Sequence, residues 1–121
     1  MSKVLAIDTS TSRSCVAIIE GANVLYSGFR DGATAHGPSL PALVQEALAM
    51  SEVDEVVVGM GPGPFTGLRV GIAFAQSFAL AREIPVRGVC SLDAIAAQVT
   101  DKDFIITVDA RRNEVYWARY T

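Results

Sequence analysis

Apolar and polar positions change period several times along the chain, and each change marks an element. KVLAIDTS, residues 3–10, reads as a buried strand closing at Asp8, and SCVAIIEG, 14–21, as a second strand. The short polar loop TSTSR between them makes a hairpin. NVLYSGFRDG, 23–32, continues as a third strand after the turn at Gly21-Ala22, which gives a meander. Leu40, Leu43, Val44, Ala47 and Leu48 then recur at helical spacing on one face of a helix over 38–51. Either Pro38 or Pro41 suits its first turn, where a missing N–H costs nothing. DEVVVGMG, 54–61, carries the continuous run Val56 to Val58, as in a parallel strand buried on both faces. A Gly–Pro cluster turns the chain into a long apolar helix over 65–83. IPVRGVC is a strand, SLDAIAAQV a helix with Ser91 as N-cap, and FIITVDA and EVYWARY two further strands joined by the turn RRN.

An antiparallel meander joined to βαβ units predicts an α/β fold with a mixed sheet and helices on its faces. VLAIDTSTSRSCVAII and IITVDARRNEVYWARY also share a layout: apolar strand, Asp at its end, polar turn, strand back. This echo suggests that residues 1–100 are one domain and that 101–121 open a second copy of it. The plainer alternative is that the last hairpin completes a single domain.

The chain of 121 residues is 50% hydrophobic, enough for a real core, and no apolar run approaches the roughly 18 residues of a membrane span. The N-terminus lacks the apolar segment and cleavage site of a secretory signal. The expectation is a soluble, cytoplasmic protein. Cys15 and Cys90 show no CxxC or metal-type spacing and read as small buried hydrophobes in a reducing compartment. The net charge is −3 with scattered basic residues, which argues against direct binding of nucleic acid. A single histidine, His36, cannot supply HxxxH or HExxH, so no metal site is expected.

Four stretches invite a functional reading. Asp8, Thr9, Ser10 and Thr11 could cradle a phosphate with backbone N–H groups and hydroxyls, Asp8 holding a metal; the alternative is an ordinary hairpin turn stabilised by Asp and Ser/Thr side chains. GMGPGPFTGLRVG puts a glycine-rich loop before a helix N-terminus, a favourable place for an anion, yet Pro62 and Pro64 offer no donors and suit positioning a helix better. In the helix itself Gly67, Gly71, Ala75 and Ala79 form a small-residue stripe, with Leu68, Ile72 and Phe78 covering much of the rest. A helix apolar nearly all round is buried on two sides. One side meets its own sheet, and the other predicts a protein–protein interface; the alternative is a central helix covered by a second half of the fold. In DARRNEVYW, Arg111 and Arg112 could meet a phosphate or carboxylate, or be solvated charges at a hairpin tip. No nucleophile–base pair emerges from spacing.

Together IDTST, GPGPFTGLRVGIAFAQSFAL, IPVRGVCSLDAIA and VDARRNEVYWARY resemble the TsaB (formerly YeaZ) family over essentially the whole chain. The resemblance implies an actin/hexokinase-like (ASKHA, ribonuclease H-like) fold, duplicated in family members, of which this chain looks like the first half plus one hairpin. It implies a non-catalytic partner of the metal- and ATP-dependent subunit TsaD, acting with the ATPase TsaE. That system transfers threonylcarbamoyl, supplied as an adenylate by TsaC, to the adenosine following the anticodon of certain tRNAs. It also connects the chain to proteins once described as M22 glycoproteases. By the resemblance, the contact with TsaD falls on the helices 38–51 and 65–83, with Leu40, Leu43, Ala47, Gly67, Leu68, Gly71, Ile72, Ala75, Phe78 and Ala79 as interface positions. Alone, the same face could form a homodimer. No cofactor is expected on this chain by itself, with ATP or ADP and magnesium reserved for the joint complex. One departure is His36-Gly37, where the family often has His-Ser. An actin-like nucleotide-binding protein and an M22-like metallopeptidase remain the rivals.

Overall fold

The structure, a computed structural model, describes residues 1–32, 36–111 and 114–121. Three strands open the chain: β1 (Lys3–Asp8), β2 (Arg13–Glu20) and β3 (Asn23–Asp31). Helix α1 (His36–Met50), strand β4 (Glu55–Gly59), helix α2 (Phe65–Arg82), strand β5 (Val86–Val89) and helix α3 (Ser91–Ala96) follow, then β6 (Phe104–Arg111) and β7 (Glu114–Tyr120). The five-stranded sheet runs in the order β3-β2-β1-β4-β5. The meander pairs antiparallel, while β4 and β5 join β1 in parallel through their crossover helices.

Alternation decides which face of this sheet is covered. Leu5 and Ile7 of β1 stand beside Val56 and Val58 of β4, with Val16 and Ile18 of β2 on the same face, and all six are buried. Leu40, Leu43, Val44 and Ala47 of α1 and Ala75 and Ala79 of α2 close the core above them. Burying side chains of this size contributes about 1.5–3 kcal/mol each, before the entropy of ordering them. The opposite face, with Ala6, Cys15, Ala17 and Val57, is only half-buried. The Val56–Val58 run is therefore a parallel strand as expected, but it is covered on one face rather than two.

Three boundaries differ from the sequence expectation for physical reasons. Helix α3 is shorter than SLDAIAAQV because Gln98 and Val99 donate to carbonyls three residues back, Ile95 and Ala96, tightening the last turn. Its N-cap is Cys90 rather than Ser91, whose hydroxyl instead accepts the Gly61 amide at 3.1 Å. Helix α2 stops at Arg82 because Glu83 takes a left-handed conformation, φ 55°. The Glu83 amide donates to Leu80 and the Ile84 amide to Ala79, the paired bonds of a Schellman stop.

The hairpin β6–β7 is a separate two-stranded sheet. Ile106 packs on Leu92 and Ala96 of α3 in a second, smaller cluster. Tyr120 stacks on Phe104 and its hydroxyl donates to Asp93 at 2.5 Å, fastening the hairpin to α3.

Candidate functional site

The turn Asp8–Thr11 is packed against the start of α2, and its polar groups are turned inward. Asp8 Oδ1 accepts the Ser10 amide at 2.7 Å, an Asx turn that sets the chain direction after β1. Thr9 and Ser10 are 1% and 3% exposed. The Thr9 hydroxyl donates to the Gly67 carbonyl at 2.7 Å and accepts the Gly71 amide at 3.0 Å. Thr11 Oγ1 accepts the Arg13 amide. Among the described residues, no buried side-chain polar atom lacks a partner. The hydroxyls of Thr9 and Thr11 are thus bonded within the fold.

Two buried polar side chains extend this knot. Ser14 Oγ and His36 Nδ1 share a hydrogen bond of 2.5 Å, and both residues are nearly inaccessible. A Cβ on Gly67 would lie 2.9 Å from His36 Cδ2, and one on Gly71 would lie 2.5 Å from Thr9 Oγ1. A Cβ on Gly63 would collide with the Ser10 carbonyl. The glycines after the Pro–Gly cluster are therefore places where the first turn and α1 press against α2.

This corrects the expected interface. Gly71, Ala75 and Ala79 are buried under the domain's own sheet and turn, and Leu40, Leu43 and Ala47 are fully buried beside them. The small stripe admits Thr9 and His36, so none of these six side chains is open to a partner. Gly67, Leu68, Ile72 and Phe78 are half-buried at the margin. The positions facing outward on α2 are Phe65, Arg69, Ala73, Gln76 and Leu80, spaced along one side of the helix. Phe65 is 71% and Leu80 81% exposed, a large apolar surface for one helix face. Arg69 lies over the Phe65 ring, 5.0 Å from its centre. On α1 the exposed face carries Ala42, Gln45, Ala49 and Met50. Its one acid, Glu46, is engaged by Tyr26 and Arg30. The signal that finds this ridge is the period of the exposed residues, not the eye-catching glycines.

The uncovered sheet face carries a groove of about 230 Å³ lined by Ala6, Cys15, Ala17, Val57, Phe29 and Ala94. Asp8 and Arg13, the latter paired with Asp31, also line it. Burial, and then the Asp8 carboxylate, push the Cys15 thiol up, which keeps it protonated at neutral pH. Among the described residues no three His, Cys, Asp or Glu converge as a metal site, and no helix is long and apolar enough to cross a membrane. Arg112 lies outside the described residues, and the Arg111 side chain is not described.

A family model described as "TsaD: tRNA N6-adenosine threonylcarbamoyltransferase" matches residues 30–121. An uncharacterized protein of Mycobacterium tuberculosis is 50% identical over 99% of this chain and 60% of its own length. The Escherichia coli tRNA threonylcarbamoyladenosine biosynthesis protein TsaB is 35% identical over 98% of this chain and 54% of its own length. A solved structure of YeaZ from Pseudomonas aeruginosa superposes with a TM-score of 0.88 at 33% identity, over 99% of this chain and 60% of that one. The chain thus spans between half and two thirds of the length of these relatives. With the actin-like mixed sheet and the near-complete coverage of this chain in agreement, the chain belongs to the family of that TsaD model and is similar to TsaB (YeaZ) proteins over nearly all of its own length.

Proposed function

We propose that this chain is a non-catalytic adaptor that docks the outward face of α1 and α2 on a TsaD-type threonylcarbamoyltransferase. The complex, with a TsaE-type ATPase, would modify the adenosine next to the tRNA anticodon, and tRNA would meet this chain only indirectly. The observation that carries the reading is the exposed ridge of α2, with Phe65 and Leu80 at its two ends and little charge between them. Exposed aromatic and aliphatic side chains in a row on a rigid helix are what a partner buries. The names of the relatives supply the pathway. An interface of ordinary size, about 1,600 Å² in total, is expected. In the absence of the partner the same ridge would form a two-fold homodimer.

Residues 101–121 fit the same reading as the opening of a second copy of the fold. The hairpin β6–β7 forms a sheet of its own, and Asp109 occupies the place in it that Asp8 has in β1.

The deciding experiment mixes the 121-residue chain with the TsaD-type protein of the same organism and weighs the product by light scattering after size exclusion. A stable heterodimer supports docking through α1 and α2. No complex from this chain or from a full-length relative would sink the adaptor reading. The nucleotide rival predicts micromolar binding of ATP or ADP with magnesium by calorimetry. The commitment of the Thr9 hydroxyl to α2 favours no heat from the isolated chain, with nucleotide and magnesium reserved for the joint complex. The peptidase rival predicts bound metal by elemental analysis.

A further inference from the structure

We propose that the Thr9 hydroxyl is a positioning group for docking, holding helix α2 in the shape its outer ridge presents to the partner. The inference rests on the docking reading above. Gly67 and Gly71 are four residues apart, so the carbonyl of one and the amide of the other are the pair whose direct bond closes a helical turn. Thr9 Oγ1 bonds to both, from a different element. A side chain bonded to both groups of one helical turn fixes where that turn sits against the neighbouring element. The bridge sits on the inner side of α2, directly beneath Phe65, Arg69 and Ala73, the first half of the exposed ridge.

The polar bridge is not required to fill space. A valine at position 9 has nearly the shape of threonine, and it would leave the Gly67 carbonyl and Gly71 amide without their bonds to the β1–β2 turn. What the hydroxyl adds is a bond to each of those two groups, which ties this turn of α2 to the β1–β2 turn. Thr9 cannot drift, because Asp8 holds the next amide and the absent side chains of Gly63 and Gly71 let the turn seat against the loop and helix. His36, buried against Gly67 and bonded to Ser14, blocks the other side.

The test compares Thr9→Val, which keeps the methyl and loses the hydroxyl, with Thr9→Ser, which does the reverse. Affinity for the TsaD-type partner is measured by calorimetry, with thermal denaturation as the check on folding. The expected result is a folded T9V that binds about tenfold or more weakly, and a T9S that binds like the parent. If the parent binds and T9V binds equally well, positioning by Thr9 is overturned while docking stands. If T9S is as weak as T9V, the hydroxyl is not the cause and the proposal fails. If the parent itself does not bind, the docking reading fails and takes this proposal with it. Should T9V fail to fold, Thr9→Ala takes its place against Thr9→Ser, with the same outcomes.

Discussion

Glu83 holds a left-handed backbone conformation, φ 55°, which among the described residues is otherwise left to glycines. A side chain there costs about 1–2 kcal/mol through the contact of Cβ with the following carbonyl, part of which glycine gives back as unfolded-state entropy. Glu83→Gly is therefore expected to raise stability by about 0.5–1 kcal/mol, read as a higher urea midpoint with an unchanged slope. Gly71 runs the other way. Alanine is the better helix former by about 1 kcal/mol, but its methyl would meet Thr9 Oγ1 at 2.5 Å and Thr9 Cγ2 at 3.3 Å. Thr9 is buried and bonded on both sides of its hydroxyl, so it cannot yield. Overpacking of this kind costs about 1–3 kcal/mol, and Gly71→Ala should lower the melting temperature despite the gain in propensity. A glutamate at the same place would force a larger, charged side chain into that buried contact and should unfold the domain.

At the scale of elements the sequence was informative where period and burial coincide. Val16 and Ile18, alternating along β2, and Leu40, Leu43, Val44 and Ala47 at helical spacing are core residues as their patterns require. The order β3-β2-β1-β4-β5 is consistent with a meander followed by βαβ units, and the family resemblance implied it through the fold. The faces of α2 were harder to read because both are apolar. Small residues at i, i+4, i+8 and i+12 announce a close approach without saying whose backbone approaches. Only the three-dimensional placement of Thr9 and His36, 58 residues from Gly67 in the first case, assigns the stripe to the domain itself. The Thr9 bridge, the site feature with most consequence, was legible only as part of a phosphate turn or an ordinary hairpin turn, since nothing local in DTSTS points to a helix so distant in sequence. The corrected face gives its own expectation. Leu80 is 81% exposed, so Leu80→Glu should change stability by less than about 0.5 kcal/mol while abolishing complex formation with the TsaD-type partner. Size exclusion with thermal denaturation reads both, and undiminished binding would remove Leu80 from the interface.

Across the whole molecule there are two unequal cores. The larger lies between the five-stranded sheet and α1 and α2; the smaller joins α3 to the hairpin through Leu92, Ala96 and Ile106. The other side of the hairpin leaves Ile105, Val115 and Trp117 more than half exposed, so the small unit depends on few contacts. One of them is the bond from the Tyr120 hydroxyl to Asp93, which, followed by burial, pushes the Tyr120 pKa up to about 12. An unfolded tyrosine ionises near pH 10. The folded state therefore holds the phenol proton more tightly, and the bond's contribution is complete below about pH 10. It fades as pH rises through about 12, where ionised Tyr120 faces the Asp93 carboxylate. Tyr120→Phe deletes the bond at every pH while keeping the ring stack on Phe104. Denaturation followed by circular dichroism at pH 9 should show the parent more stable than Y120F, with the difference gone or reversed at about pH 12. The two proteins differ only in that hydroxyl, so the comparison isolates this one bond. A difference that persists unchanged above pH 12 would mean that Tyr120 supports the hairpin through its ring alone.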